Sequence, residues 1–183
     1  MPSMTAHDDL SDLELARHYA VTRDERVFSL LYGRHSAAVN GLLRRLLAGA
    51  EEDVKEILQE TWIRAMQKIR NFRGDAKFRT WLIGIAVNCH RERRRRERAS
   101  VHEEVSEAVG VSLVRAADAT DVTECLAALT AEHREVLVLH DVEGFTHEEI
   151  SSFLGIEQGT SKSRLFRARH AFRERWGGRR TKE

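Results

Sequence analysis

The sequence is nearly free of proline and contains little cysteine. Pro2 is the one proline, so the interior of the chain lacks the residue that most often breaks a helix. Cys89 and Cys125 are too few for a disulfide framework and lack the spacing of a metal site. No apolar run reaches the roughly 18 residues of a membrane helix, and the polar N-terminus has no signal-peptide pattern. These absences indicate a soluble protein of a reducing compartment.

The 183 residues that are present favour helix. Arg, Leu, Glu and Ala dominate the composition, and all four are good helix formers. Apolar residues recur at helical spacing in both halves of the chain, and the stretch between the halves is poorly periodic. We therefore predict an all-α protein of two small helical domains. The predicted parts are a domain at 1–98, a flexible linker at 99–120, a second domain at 121–176 and a basic tail at 177–183.

A net charge of +1 hides a strong segregation of charge by sign. Residues 62–98 hold twelve basic and three acidic side chains, whereas residues 101–149 hold two basic and twelve acidic ones. From 158 to 182 there are nine basic residues and one acidic residue. Two basic blocks separated by an acidic block indicate two anion-binding surfaces on separate units. The alternative is a set of solvated helix faces.

The clearest helix of the N-terminal half carries an apolar stripe that begins at Val54 and continues to Ile69. Its opposite face is acidic and yet includes an isoleucine, a composition that suits docking to a basic partner protein. A solvated helix with one spare isoleucine is the alternative. The residues of this face are Asp53, Glu56, Gln59, Glu60 and Ile63.

A loop at 71–77 interrupts the helical pattern, and a new apolar stripe starts at Phe78 and Trp81. Asn88, Arg91 and Arg95 share a different face of this second helix. Aromatic side chains beside a basic loop and a basic helix are typical of surfaces that hold unstacked bases and phosphates. Phe78, Trp81 and Cys89 themselves lie on the apolar stripe, so we expect them in the core.

The C-terminal half has the pattern of a helix-turn-helix. Thr146 and Glu149 form a capping box at the start of a short helix, and Gly155 is placed to end it. A tight turn and a basic helix follow, which is the arrangement that inserts a recognition helix into the major groove of DNA. Leu165, Ala168 and Phe172 are spaced to face inward. Thr160, Lys162, Ser163, Phe166, Arg167 and Arg169 remain for the outside or the flanks.

Taken in order, four motifs resemble those of bacterial sigma factors of the extracytoplasmic-function group. They are DVKEILQETWIRA at 53–65, the FRG…FRTWL…IA.N pattern at 72–88, LT…REVL at 129–137, and EGFT.EEI…LGI..GT.KSRL.RAR at 143–169. The motifs cover nearly the whole chain outside its termini and linker. Glu157 and Ser161 depart from the residues that the family commonly has at these positions.

The resemblance implies two helical domains, sigma regions 2 and 4, on a bacterial cytoplasmic protein. Region 2 would bind the β′ clamp helices of core RNA polymerase and would read and melt the −10 element. Region 4 would bind the β flap and read the −35 element as duplex. Promoter DNA and an anti-sigma factor are the other partners implied, with no cofactor and no membrane insertion.

The resemblance also assigns roles to residues by position. The polymerase-docking face would consist of Asp53, Glu56, Gln59, Glu60 and Ile63. The −10 surface would consist of Asn71, Phe72, Arg73, Gly74, Asp75, Lys77, Asn88, Arg91 and Arg95. The −35 surface would consist of Thr160, Lys162, Ser163, Arg164, Phe166 and Arg167, with Arg164 and Arg169 nearer the phosphates or the flap.

Two rival functions remain open from the residues. A stand-alone helix-turn-helix regulator would share the C-terminal motif but would leave the aromatic-basic loop and the acidic docking face unexplained. An enzyme is disfavoured because the chain has no ligand cluster, nucleophile elbow or glycine-rich phosphate cradle. His133, His140 and His147 recur every seven residues, but Gly144 interrupts the helix between the last two.

Overall fold

A computed structural model describes residues 9–103 and 121–180, and within these ranges it contains helices and no strand. The N-terminal unit (9–103) contains α1 (Asp12–Thr22), α2 (Glu25–Leu46), α3 (Glu51–Lys68), a 3-10 turn (Ile69–Asn71) and α4 (Phe78–Glu103). The C-terminal unit (121–180) contains α5 (Asp121–Ala127), α6 (Ala131–Leu137), a π-helical turn (Val138–Val142), α7 (His147–Leu154) and α8 (Gln158–Arg180). The expected all-α fold is confirmed.

The N-terminal unit is a four-helix arrangement in which α2, α3 and α4 pack against one another and α1 lies along α2. Ser11 caps α1 in a capping box with Glu14, and Asp24 caps α2 through the backbone N–H of Arg26. The predicted apolar stripe of α3 is buried from Val54 through Met66. Phe78 is also buried, as its place on the stripe of α4 predicts.

The C-terminal unit is the expected helix-turn-helix. Thr146 and Glu149 form the predicted capping box of α7, and Gly155 ends that helix in the left-handed conformation, with φ of 59°. Gly144 also has positive φ, 78°, at the end of the π-helical turn. Leu165 and Ala168 of α8 are buried, which leaves the opposite side of the helix to solvent. Val142, which the pattern places on the apolar side, is half-exposed instead.

The two units touch each other through α4 and α7 and through α2 and the helices α5 and α6. Buried apolar side chains from both units belong to one continuous cluster. Helix α4 continues to Glu103, five residues into the predicted linker. The rest of that linker, 104–120, and the end of the tail, 181–183, lie outside the described residues.

Candidate polymerase-docking and DNA-binding surfaces

The outer face of α8 is cationic and free of contacts with the core. Lys162, Ser163, Phe166 and Arg167 are exposed, and Phe166 is 73% accessible. Thr160 and Arg164 are half-buried at the flanks of this face. A large aromatic side chain gains nothing from such exposure in water, so its place among cations suits contact with a nucleic acid. All six predicted −35 residues therefore lie on or beside one helix face.

A polar pair that the sequence did not predict positions the start of α8. Ser161 is fully buried, and its Oγ lies 2.9 Å from Nδ1 of His147 on α7. The His147 ring lies against that of His140, with 4.7 Å between ring centroids and an interplanar angle of 32°. Burial, followed by the nearby His140, Lys162 and Arg169, lowers the pKa of His147 below its usual value. The unusual serine thus has a hydrogen-bonding partner across the helix-turn-helix.

Arg169 pairs with a carboxylate of its own unit, although its side chain is 41% exposed. Its Nε and Nη2 donate to Asp141 at 2.8 and 2.5 Å, and this pairing lowers the pKa of the Asp141 carboxyl. The forked contact ties α8 to the π-helical turn. Arg169 consequently stabilises the unit and lies beside the exposed face rather than on it.

The loop before α4 divides into an exposed part and a buried part. Asn71, Arg73, Gly74, Asp75 and Lys77 are exposed. Phe72 is buried and packs against Phe78 and Trp81, with ring centroids 5.3 Å apart in each case. The aromatic ring of Phe72 therefore anchors the loop, while its polar neighbours face outward.

Along α4, Asn88 and Arg95 are exposed and Arg91 is half-buried. The three residues share one face, as their spacing predicts. The Nη1 atom of Arg91 lies 3.5 Å from the backbone oxygen of Phe153 in the C-terminal unit. One predicted −10 residue is therefore already in contact with the other unit.

The predicted docking face lies on α3, but arginines of the same chain already pair with some of its carboxylates. Glu56, Gln59 and Ile63 are exposed, with Ile63 46% accessible, and Asp53 and Glu60 are half-buried. Arg93 of α4 pairs with both Asp53 and Glu56, and Arg64 pairs with Glu60. A partner protein that binds these carboxylates must compete with two internal arginines.

An apolar groove of about 500 Å³ adjoins this face. Its lining includes Tyr32, Trp62 and Met66 beside Gln59 and Ile63. Such a groove can accept apolar side chains from a partner, and it lies next to polar groups that would orient them. The sequence pattern indicated the exposed isoleucine but not the groove, because Tyr32 comes from a different helix.

Residues 9–103 and 121–180 hold no group of three or more His, Cys, Asp or Glu that could bind a metal ion. None of the described helices is long and apolar enough to cross a membrane. Cys89 and Cys125 are both buried, and burial raises the pKa of the Cys89 thiol.

Two family profiles match successive parts of the chain. Residues 31–100 match Sigma-70 region 2, and residues 119–171 match Sigma-70, region 4. These matches coincide with the helices that carry the docking face, the basic loop and the helix-turn-helix.

Curated relatives match over most of their length. The ECF RNA polymerase sigma-E factor of Haemophilus influenzae is 30% identical over 163 residues, covering 80% of this chain and 85% of the relative. The RNA polymerase sigma-H factor of Pseudomonas aeruginosa is 30% identical over 165 residues, covering 81% and 85%.

Two solved structures share the fold. CnrH, solved with the cytosolic domain of CnrY, has a TM-score of 0.65 at 29% identity and covers 91% of this chain and 97% of that chain. The sigma factor RpoE of Bartonella quintana, solved with the anti-sigma factor NepR, has a TM-score of 0.67 at 24% identity and covers 82% and 96%. With both domains matched in order, and relatives at this identity and coverage, the chain belongs to the ECF group of bacterial RNA polymerase sigma factors.

Proposed function

We propose that this sigma factor binds core RNA polymerase and directs it to a set of promoters, with no catalytic activity of its own. In this proposal region 2 spans 1–98 and region 4 spans 121–176. The observation that carries it is the exposed face of α8, where Lys162, Phe166 and Arg167 project from a helix-turn-helix. Since polymerase and chromosome lie in the bacterial cytoplasm, the protein acts there.

Region 4 would hold the −35 element as duplex DNA. The side chains near the N-terminal part of α8 are the ones that reach base edges when a recognition helix enters the major groove. Lys162 and Arg167 supply donors for guanine and phosphate, and Phe166 supplies an apolar contact for a thymine methyl group. Thr160, Ser163 and Arg164 flank these contacts.

Region 2 would stabilise the opened −10 strand. The exposed polar residues of the loop at 71–77 would surround a flipped base, and Asn88, Arg91 and Arg95 would follow the strand along α4. Unstacking a base costs about a few kcal/mol, and stacking contacts can return about 1–3 kcal/mol per base. Binding energy of this size is enough to decide whether the strand opens, and no nucleotide hydrolysis is needed.

The docking face on α3 would bind the β′ clamp helices, and region 4 would also bind the β flap. Gln59 and Ile63 are the exposed members that no internal arginine engages in the described structure. Burial of an isoleucine contributes about 1.5–3 kcal/mol. Release of Asp53 and Glu56 from Arg93 would let these carboxylates meet a basic partner.

An Ile63→Glu variant tests the docking face. We expect its affinity for core polymerase, measured by anisotropy of the labelled chain, to fall at least about tenfold, which corresponds to about 1.4 kcal/mol. Val21→Glu is the matched control because Val21 is an equally apolar residue that is 82% exposed on a different helix, α1. Equal affinities for the two variants would contradict the assignment.

A Lys162→Ala/Arg167→Ala variant tests the −35 surface. We expect transcription from a −35-dependent promoter to fall about 5- to 150-fold, from the loss of about 1–3 kcal/mol of base contacts. Core binding stays unchanged. Arg173→Ala/Arg175→Ala, on the exposed later turns of α8, is the control. Tight operator binding by the wild-type chain without polymerase, together with failure to bind core, would instead favour a stand-alone regulator.

An anti-sigma factor is the third partner in this proposal. The sigma factor RpoE of Bartonella quintana was solved with one, and CnrH was solved with a cytosolic partner domain. The two exposed functional faces, on α3 and α8, are the surfaces that such a partner would have to cover.

A further inference from the structure

Part of the acidic block, at Glu132, Glu135 and Glu143, folds against the first basic block. Glu135 of α6 is 3% exposed, yet its carboxylate pairs with Arg94 of α4. The other nitrogen of the same guanidinium lies 2.9 Å from Glu132, which Arg98 also approaches at 3.3 Å. Hydrogen bonds of this kind, charged on both sides and shielded from water, are the strong ones.

A second ion pair lies at the other end of the contact between the units. The side chain of Glu143, at the end of the π-helical turn, is 4% exposed and pairs with Arg79 at the start of α4. Arg45 at the end of α2 approaches the same carboxylate at 3.5 Å. The glutamate therefore bridges two arginines that belong to different helices of the N-terminal unit.

Between the ion pairs, α7 packs on the face of α4 that carries the −10 residues, at Gly84 and Arg91, while Asn88 and Arg95 remain exposed. Gly84, Asn88, Arg91 and Arg95 fall at i, i+4, i+7 and i+11, so they share one stripe. Phe153 packs so closely on Gly84 that a Cβ there would lie 3.1 Å from its ring. The backbone oxygen of Phe153 accepts from Arg91.

We propose that Glu132, Glu135 and Glu143 form an intramolecular latch that holds region 4 against α4. Their pairs with Arg79, Arg94 and Arg98 keep α7 on Gly84 and Arg91, so part of the −10 face is closed to DNA until the latch opens. The three carboxylates act in place of DNA phosphates, and the chain's own region 4 is the competitor. The outer face of α8 stays exposed in the latched state, so −35 binding does not require opening. The inference rests on the proposed function, because it takes α4 as the −10 surface.

Burial by itself would raise the pKa of Glu132, but hydrogen bonds from its own backbone N–H and from Arg94 outweigh it and hold the pKa at about 2. The Glu132 carboxylate therefore stays charged at neutral pH. Salt and competing anions would weaken its pairing with Arg94 and Arg98.

The test compares two triple variants of the full chain with the same change in net charge. The latch variant is Glu132→Gln/Glu135→Gln/Glu143→Gln. The control is Glu25→Gln/Glu148→Gln/Glu174→Gln, whose glutamates are exposed; Glu174 pairs with His170 of its own helix. Small-angle scattering measures the radius of gyration, and anisotropy measures affinity for a short fluorescent single strand of mixed sequence over a range of salt concentrations.

We expect the latch variant to have a larger radius of gyration than the wild type and the control. We also expect it to bind the strand roughly tenfold more tightly than the control, with a salt slope steeper by about 0.7 for each arginine freed. Equal radii, or equal gains in affinity for the two triple variants, would overturn the latch.

An Arg79→Gln/Arg94→Gln variant provides a second route if the glutamate variant does not fold. It breaks the same ion pairs from the other unit, and we expect the same increase in radius of gyration; an unchanged radius would overturn the latch. These readouts use the chain without polymerase. If the latch proposal is wrong, the radius of gyration does not change, while the chain still supports transcription. If the proposed function is wrong, the chain supports no transcription, whatever its radius of gyration.

Discussion

Gly74 shows how a single residue fixes the basic loop on the N-terminal unit. Its φ is +87°, and a Cβ added there would lie 3.0 Å from the side chain of Leu13. Both the left-handed backbone and the close approach favour glycine. The FRG motif could be recognised from the sequence, but the contact with α1 could not, because Leu13 lies 61 positions earlier in the chain.

We expect Gly74→Ala to lower the free energy of unfolding by about 1–2 kcal/mol, the cost of placing a side chain in a left-handed conformation. Gly33→Ala is the control, because Gly33 lies within α2 with open space around it. Alanine in a helix interior is favoured over glycine by up to about 1 kcal/mol, so this control should be as stable as the wild type or more stable. Urea unfolding of both variants is the measurement, and a neutral Gly74→Ala would contradict the role of the glycine.

Cys89 and Cys125 offer a prediction about reactivity. Both are buried, and burial raises the pKa of Cys89, so little reactive thiolate forms at neutral pH. We expect an aromatic disulfide reagent to label neither thiol rapidly in the folded chain and both thiols in denaturant. Rapid labelling of either thiol under native conditions would contradict its burial.

The ends of single helices could largely be predicted where they depend on residues that are close together in the sequence. The capping box of α7 depends on two residues three positions apart, and Gly155 ends that helix as its type indicates. The contact of His147 with Ser161 spans fourteen positions and two helices, so no local pattern reveals it. The end of α4 at Glu103 falls within the predicted linker, a stretch whose weak periodicity does not mark where a helix ends.

The helix-turn-helix should lose stability in mild acid because of His147. Burial, then the nearby His140, Lys162 and Arg169, lowers its pKa in the folded state, while Asp141 opposes the shift. His147 therefore binds a proton more readily in the unfolded chain than in the folded chain. The folded state consequently keeps its full stability above about pH 6.5 and loses stability as the pH falls through that value. Thermal unfolding at stepped pH values measures this loss.

In a His147→Gln variant we expect a smaller loss of stability between pH 6.5 and 5 than in the wild type. His170→Gln is the matched control, since His170 lies on α8 with a side chain 66% exposed. Identical pH profiles for His147→Gln and the wild type would show that another group is responsible.

At the scale of the whole molecule, charge is distributed to bind both DNA and the chain itself. The sequence suggested two anion-binding surfaces separated by an acidic block. In the structure part of that block, at Glu132, Glu135 and Glu143, pairs with Arg79, Arg94 and Arg98 of the first basic block. Pairs such as Arg94 and Glu135 are 41 positions apart and depend on how two units pack. The sequence shows which residues are charged, but it does not show which of them form ion pairs with one another.

The family and the fold could be predicted from the sequence because motifs and helical spacing are local. Which side chains of each surface are exposed, and which are paired within the chain, could not be predicted. Gln59 and Ile63 are exposed as the α3 pattern indicated, while Asp53 and Glu56 are held by Arg93. Phe72 was placed on the −10 surface and lies in the aromatic core. Burial of an aromatic side chain within a loop depends on neighbours that the loop sequence does not contain.

Run-off transcription with the purified chain and core polymerase from its own bacterium, on a library of genomic promoter fragments, tests the central claim most directly. We predict transcripts from a small set of fragments, present when the chain is added and lost with the Lys162→Ala/Arg167→Ala variant. No transcript from any fragment, with wild-type chain that is folded and with core shown to be active by another sigma factor, would contradict the account.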